Sequence, residues 1–247
     1  MKKKKQNSSV LSSKEQRLYD RQIKGHAAGL EKQELIRQTK VAIVGLCGVG
    51  VTTARLLHNT GFGNLVMISN SLVNEDSLPS MTYLGWRDIG KHRCIAMHDR
   101  LASIHTDVSE KFEIYCTLPS PENVDKLFEG CQAVVDTCRG VESTVSILDY
   151  ADAKDIPVMI AYGQGWKGFI ATYAGANREI LRNRIMQAYQ NDEMCMCRRF
   201  CFGFLNSAIG SITVGHLTQL MWNMRNRESR LTEYDFQFGK VSSLLGE

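Results

Sequence analysis

Two kinds of hydrophobic pattern alternate along this chain. Short runs that are apolar at nearly every position lie between segments whose apolar residues recur every three or four. The first kind suits strands covered on both faces, and the second suits helices laid over them. Strands are predicted over residues 41–46, 64–69, 112–116, 133–136, 157–161 and 168–173, with helices over 51–59, 92–104, 124–128 and 142–154. In the 92–104 segment the apolar positions are Ile95, Met97, Leu101 and Ile104. Regular alternation of this kind predicts an α/β fold, a doubly wound, mostly parallel Rossmann-like sheet. The tight, glycine-containing step from the fifth strand to the sixth predicts an antiparallel edge.

The flanks follow other patterns. Ser12 or Ser13 is placed to cap a helix with Glu15 in its first turn, and Leu18, Tyr19, Ile23, Leu30, Leu35 and Ile36 give short one-sided helices broken by Gly25 and Gly29. Residues 177–199 are charged and mixed, which fits an exposed helix or a crossover loop. Residues 202–222 form a long apolar segment containing Gly203, Gly210 and Gly215, predicted as a buried helix returning to the sheet. Its small residues suit close packing, or a face for a partner chain. Residues 234–238 alternate as a strand does.

Size and composition narrow the class. A chain of 247 residues with 43% hydrophobic and 23% charged content suits one large domain with a sizeable core. The formal charge of +4 is matched in number by Lys2 to Lys5, so the body is nearly balanced and gives no basic field for nucleic acid. Residues 1–13 are expected to be a disordered basic tail, and 14–247 one domain in which 177–200 is a variable crossover. The tail lacks the apolar core of a signal peptide, and no apolar run reaches the ~18 residues of a membrane span. Eight cysteines without a C-x-x-C pair suggest a reducing, intracellular setting.

Candidate chemistry begins at the end of the first strand. Gly45, Gly48 and Gly50 form a G-x-x-G-x-G turn at a strand-to-helix junction, where backbone can approach a phosphate near a helix N-terminus. Cys47 stands where the dinucleotide fingerprint has its second glycine. The competing reading is a turn that only packs a helix onto the sheet.

Leu18-Tyr-Asp-Arg-Gln-Ile23, upstream of that turn, resembles the opening of ubiquitin-activating-type enzymes, which include the ThiF and MoeB adenylyltransferases and the activating enzymes for ubiquitin, SUMO and NEDD8. The resemblance continues through Gly61-Phe-Gly-Asn-Leu65, Gly90, Val134-Val-Asp136, Ile156-Pro-Val158 and Gly168-Phe-Ile170, and resumes at 206–220. It implies a ThiF/MoeB-like adenylation fold that binds ATP and Mg²⁺ and adenylates the C-terminus of a ubiquitin-like modifier. The residues expected for that chemistry are largely replaced. Ser69-Asn-Ser71 stands where the ribose carboxylate belongs, and Ser77-Leu-Pro-Ser80 replaces an Asn-x-x-Arg element. Arg93, with Lys91 nearby, takes the place of the phosphate lysine, and Arg139 that of the metal aspartate. Asp136 remains as a carboxylate, with a structural cap as its competing role.

Arg21 is retained, and in the family this arginine reaches the partner's ATP site in trans. A degenerate cleft beside an intact donated arginine resembles the non-catalytic half of the heterodimeric activating enzymes, the SUMO type first and the NEDD8 type next. This implies a catalytic partner subunit that holds ATP and Mg²⁺, contact with the modifier through the complex, and a nuclear or cytoplasmic site. Gly45, Gly48, Gly50 and Arg93 would then be a vestigial or weak ATP site, with no metal in this chain. Two departures stand out: Lys24-Gly-His-Ala follows where Arg-Leu-Trp-Gly is usual, and the chain is short for such a subunit. The alternatives are a divergent homodimeric adenylyltransferase using Arg93, Lys91 and Asp136, and a binding-only scaffold. Cys195, Cys197 and Cys201, near Arg198 and Arg199, are candidates for a reactive thiol, a metal ligand set or ordinary thiols.

Overall fold

A computed structural model describes residues 10–25, 29–104, 111–138, 140–191, 202–223 and 227–244. Three short helices, α1 (Ser13–Leu18), α2 (Asp20–Lys24) and α3 (Gly29–Gln38), lead into β1 (Lys40–Val44). Then come α4 (Gly48–Thr60), β2 (Asn64–Ile68), α5 (Arg93–Ala102), β3 (Lys111–Tyr115), α6 (Val124–Leu127), β4 (Ala133–Asp136), α7 (Val141–Lys154) and β5 (Val158–Gln164). The described chain finishes with β6 (Lys167–Tyr173), α8 (Arg178–Gln190), α9 (Gly203–Trp222), β7 (Arg230–Asp235) and β8 (Lys240–Ser243).

The eight strands form one sheet in the order β3-β2-β1-β4-β5-β6-β7-β8. The first five in that order run parallel, and β6, β7 and β8 are antiparallel. This is the mixed Rossmann-like sheet with an antiparallel edge that the alternation predicts. Val44 is level with Ile68 on one side and Asp136 on the other. The ladder runs one step past the strands: Gly45 N–H donates to Ile68 O, and Thr137 N–H to Val44 O, both at 2.8 Å. The chain leaving β1, β2 and β4 is therefore gathered at the point where strand order reverses, the usual ligand crevice of such sheets.

Apolar layers cover both faces. Ile43, Leu57, Met67, Met97, Leu205, Ile209 and Leu217 belong to one, formed by the sheet with α4, α5 and α9. Val44, Phe128, Val134, Ile147, Leu181 and Ile185 belong to the other, formed with α6, α7 and α8. Each such buried side chain contributes about 1.5–3 kcal/mol. Close approach of α9 to α4 depends on a missing side chain: a Cβ on Gly210 would lie 2.8 Å from Thr52 Cβ and 3.0 Å from Val49 O. Among the described residues no helix is long and apolar enough to cross a membrane.

Several boundaries differ from expectation for identifiable reasons. Helix α4 starts at Gly48, ahead of residue 51; the low helix propensity of Gly48 and Gly50 hides its first turn from a reading of the sequence. Ile95 is exposed while its neighbours Cys94 and Ala96 are buried, which fixes the phase of α5. The strand predicted over 234–238 ends at Asp235, whose Oδ1 accepts the N–H groups of Gln237 (3.0 Å) and Phe238 (3.1 Å) and turns the chain into β8. In the charged 177–199 segment, α8 is a helix that buries Leu181 and Ile185. Packing also begins before residue 14: Leu11 is buried and Ser12 caps α1. The Ser12 hydroxyl accepts the Glu15 N–H (3.2 Å), Glu15 accepts the Ser12 N–H (2.8 Å), and its other oxygen pairs with Arg37 Nε at 2.6 Å.

Candidate functional site

The crevice is built around the turn after β1. Gly45 has φ +82°, a conformation that side-chain-bearing residues adopt at a cost, and a Cβ there would lie 2.6 Å from the Cys138 backbone. A Cβ on Gly50 would collide with the Gly45 carbonyl and sit 2.6 Å from Thr137 Oγ1. A Cβ on Gly48 would run into the Ser80 carbonyl oxygen and the Asn206 amide. All three glycines are buried. The chain's own atoms therefore account for each missing side chain.

Arg93 opens α5 and stands beside this turn. Its Nε donates to Leu72 O at 3.0 Å. Burial depresses its pKa, and the nearby Cys47 and Asp76 partly offset that. Lys91 is directed elsewhere: its Nζ lies 3.5 Å from Asp88, whose second oxygen pairs with Arg100 at 2.8 Å. The hydroxyls that replace the expected polar groups serve local backbone. Ser69 accepts the Ser71 N–H (3.3 Å), Ser77 donates to Asn74 O (2.6 Å), and Ser80 donates to Ser77 O (2.8 Å).

Asp136, at the end of β4, is buried and engaged on both oxygens. Cys138 N–H donates to Oδ1 at 2.9 Å and Thr144 Oγ1 to Oδ2 at 2.6 Å, while Thr144 also meets the Tyr189 hydroxyl at 2.8 Å. Burial, with Asp136 close by, pushes the Tyr189 phenol well up, so it stays neutral. These contacts tie β4 to α7 and α8, a structural use of the carboxylate. Neither Thr144 nor Tyr189 has a sequence signature for this role, because the network joins three elements. Arg139, Cys195, Cys197, Cys201 and Lys2 to Lys5 lie outside the described residues.

Among the described residues no group of three His, Cys, Asp or Glu could hold a metal by itself. A Mg²⁺ brought in with a nucleotide needs only one or two carboxylates, and Asp136, the carboxylate at the end of β4, already has both oxygens engaged. The rim formed by Ser69, Asn70 and Ser71 carries no charged side chain. An open cavity of ≈ 830 Å³ lies alongside, between Asn70, Leu118 and Ser143, and carries Glu122, Glu142 and Asp149. Among the described residues it is lined by no lysine or arginine, which disfavours a polyphosphate.

Arg21 lies elsewhere. It is exposed on α2 and, among the described residues, makes no side-chain hydrogen bond or ion pair; its neighbour Asp20 pairs with Lys24 at 2.8 Å. Gln22 Nε2 donates to Asn59 O at 3.3 Å, which docks α2 at the C-terminal end of α4. A 13-residue helix is about 20 Å long at 1.5 Å per residue. The glycine turn is at its other end, so Arg21 and the crevice of its own chain are far apart.

With this geometry in place, the comparison with known families is decisive: the ThiF family profile matches residues 19–245. The chain belongs to the ThiF family. Its relatives in that family include SUMO-activating enzyme subunit 1 of Rattus norvegicus, 26% identical over 159 residues, or 64% of this chain and 44% of that protein. DNA damage tolerance protein RHC31 of Saccharomyces cerevisiae is 24% identical over 160 residues, 65% of this chain and 45% of that one. In each case the match spans less than half of the relative's length. Among solved structures, PaaA superposes with a TM-score of 0.79 at 18% identity, covering 96% of this chain and 84% of that one. E. coli MccB, solved with AMPCPP and MccA, gives 0.74 at 15% identity, covering 92% and 70%. At those identities the structural likeness shows a shared ThiF-type fold.

Proposed function

We propose that this chain is the non-catalytic subunit of a heterodimeric activating enzyme for a ubiquitin-like modifier, of the SUMO type. In this reading it acts in the nucleus or cytoplasm, lends Arg21 to its partner's ATP and Mg²⁺ site, and meets the modifier through the complex. The observation that carries it is the placement of Arg21: exposed, without a partner among the described residues, and at the end of α4 remote from its own glycine turn. A guanidinium there can serve a nucleotide only on another chain, and its planar fork suits phosphate oxygens. The engaged Asp136 and the neutral Ser69-to-Ser71 rim support assigning the chemistry to the partner. The name of a relative, SUMO-activating enzyme subunit 1, supports an enzyme built of more than one chain.

The test is modifier-dependent ATP–pyrophosphate exchange by the chain co-expressed with a catalytic subunit. Arg21→Ala is expected to slow exchange by about a hundredfold or more, the scale for removing a donor that stabilises transition-state charge. Co-elution of the two chains should be unchanged. Robust exchange by the isolated chain would instead favour a homodimeric adenylyltransferase that uses Arg93. Recovery of the chain only with itself, without nucleotide binding, would favour a scaffold.

A further inference from the structure

Two thiols meet at the wall of the crevice. Cys94, in the first turn of α5, and Cys116, the residue after β3, have sulfurs 3.3 Å apart although 22 positions separate them in sequence. Cys94 is buried and its Sγ also reaches Ser69 O at 3.6 Å, whereas Cys116 is exposed. Cys47, by contrast, turns its thiol to Thr137 O at 3.4 Å. A disulfide places its sulfurs about 2.05 Å apart, so closing the pair needs a shift of little more than 1 Å. We propose that Cys94 and Cys116 form a reversible disulfide, with hydrogen peroxide as the oxidant.

The two cysteines divide the work by exposure. Cys116 can meet peroxide from solvent, while Cys94 is buried, and burial with the adjacent Cys116 pushes its thiol up to about 12. The Cys116 sulfur attacks one peroxide oxygen and the O–O bond breaks. The thiol proton leaves with the departing oxygen as water, and Cys116 becomes a sulfenic acid. The Cys94 sulfur then attacks the Cys116 sulfur, the S–O bond breaks, and the hydroxide takes the Cys94 proton as a second water. Two thiols and one peroxide give one disulfide and two waters, with two electrons passing from sulfur to oxygen. The bond would fasten the first turn of α5, and Arg93 with it, to the end of β3 beneath Ser69. Oxidation would thus fix one wall of the crevice, and a dithiol would release it.

The full chain is exposed to hydrogen peroxide, its free thiols are alkylated under denaturing conditions, and it is digested with trypsin. Cys94 falls in peptide 94–100 and Cys116 in peptide 112–126, neither of which holds another cysteine. The expected result is a linked pair of these two peptides, lighter by two hydrogens than their sum, in a chain that stays monomeric on a non-reducing gel and reverts with dithiothreitol. In Cys116→Ser, an exposed position, Cys94 should stay fully alkylatable. In Cys94→Ala, Cys116 should persist as a sulfenic acid trapped by dimedone. The proposal fails if peroxide modifies Cys116 while Cys94 stays free in the unsubstituted chain. It fails equally if Cys116 links to another cysteine or only to a second copy.

Discussion

The placement of Arg21 depends on how firmly the N-terminal helices are held, and one buried ion pair contributes to that hold. Glu15 and Arg37 meet at 2.6 Å with side chains only 8% and 12% exposed. Glu15→Gln keeps the shape and can still return a hydrogen bond to the Ser12 N–H, so the change isolates the charge. It replaces the charged partner of Arg37 Nε by a neutral amide, and losing a hydrogen bond between charged groups costs about 1.5–3 kcal/mol. For a domain of this size that corresponds to a fall in Tm of about 3–12 °C. Arg37→Met leaves the carboxylate with its Ser12 hydrogen bonds alone and should also destabilise. The double substitution removes both charges and should recover much of the loss, giving a coupling of about 1.5 kcal/mol or more. Urea unfolding followed by far-ultraviolet circular dichroism and tryptophan fluorescence measures all four proteins, with coincident transitions as the check on two-state behaviour. A Glu15→Gln protein within about 0.5 kcal/mol of the parent, or a strictly additive cycle, would refute the reasoning. Hydrogen exchange of α2 would then show whether the cost is local to the helices that carry Arg21.

Gly48→Ala should lower stability by about 1–3 kcal/mol through overpacking against Ser80 and Asn206; a neutral result in thermal unfolding would mean that the turn has room for a ligand. Thr144→Val removes a hydrogen bond to the buried Asp136 carboxylate and strands the Tyr189 hydroxyl, for an expected loss of about 1.5–3 kcal/mol, read from urea midpoints. Acid should weaken the fold through Glu15 and Asp88. Burial acts to raise both pKa values, but the hydrogen bonds and cations of Ser12 and Arg37, and of Arg100, Gly85 and Lys91, outweigh it and hold both below their ordinary 4.5 and 3.8. Depressed values mean that the stabilisation is complete above those ordinary values and is lost as pH falls through the lower folded ones. Unfolding midpoints measured between pH 6 and pH 2 should fall steeply only below about 4, and Glu15→Gln should flatten that fall.

Sequence by itself determined the architecture of this protein and the candidates for its chemistry. Apolar runs and three-to-four periodicity are local signals, and they were enough for six of the strands, the helices between them and the antiparallel turn after the fifth strand. The glycine turn, the Arg21 motif and the replaced residues at Ser69, Ser77 and Ser80 are local in the same sense. Tertiary structure decided what each of them touches. Only packing could show that Ser80 and Asn206 occupy the space beside Gly48, since these groups are separated by long stretches of chain. The same holds for Asp136, whose two oxygens are claimed by groups from its own turn and from α7, and for Glu15, whose partner Arg37 is 22 residues away. A sequence pattern reports which face of an element is buried, because burial repeats with the element's own period. Which distant side chain meets a charge inside that burial has no period, and it is settled only when the layers close.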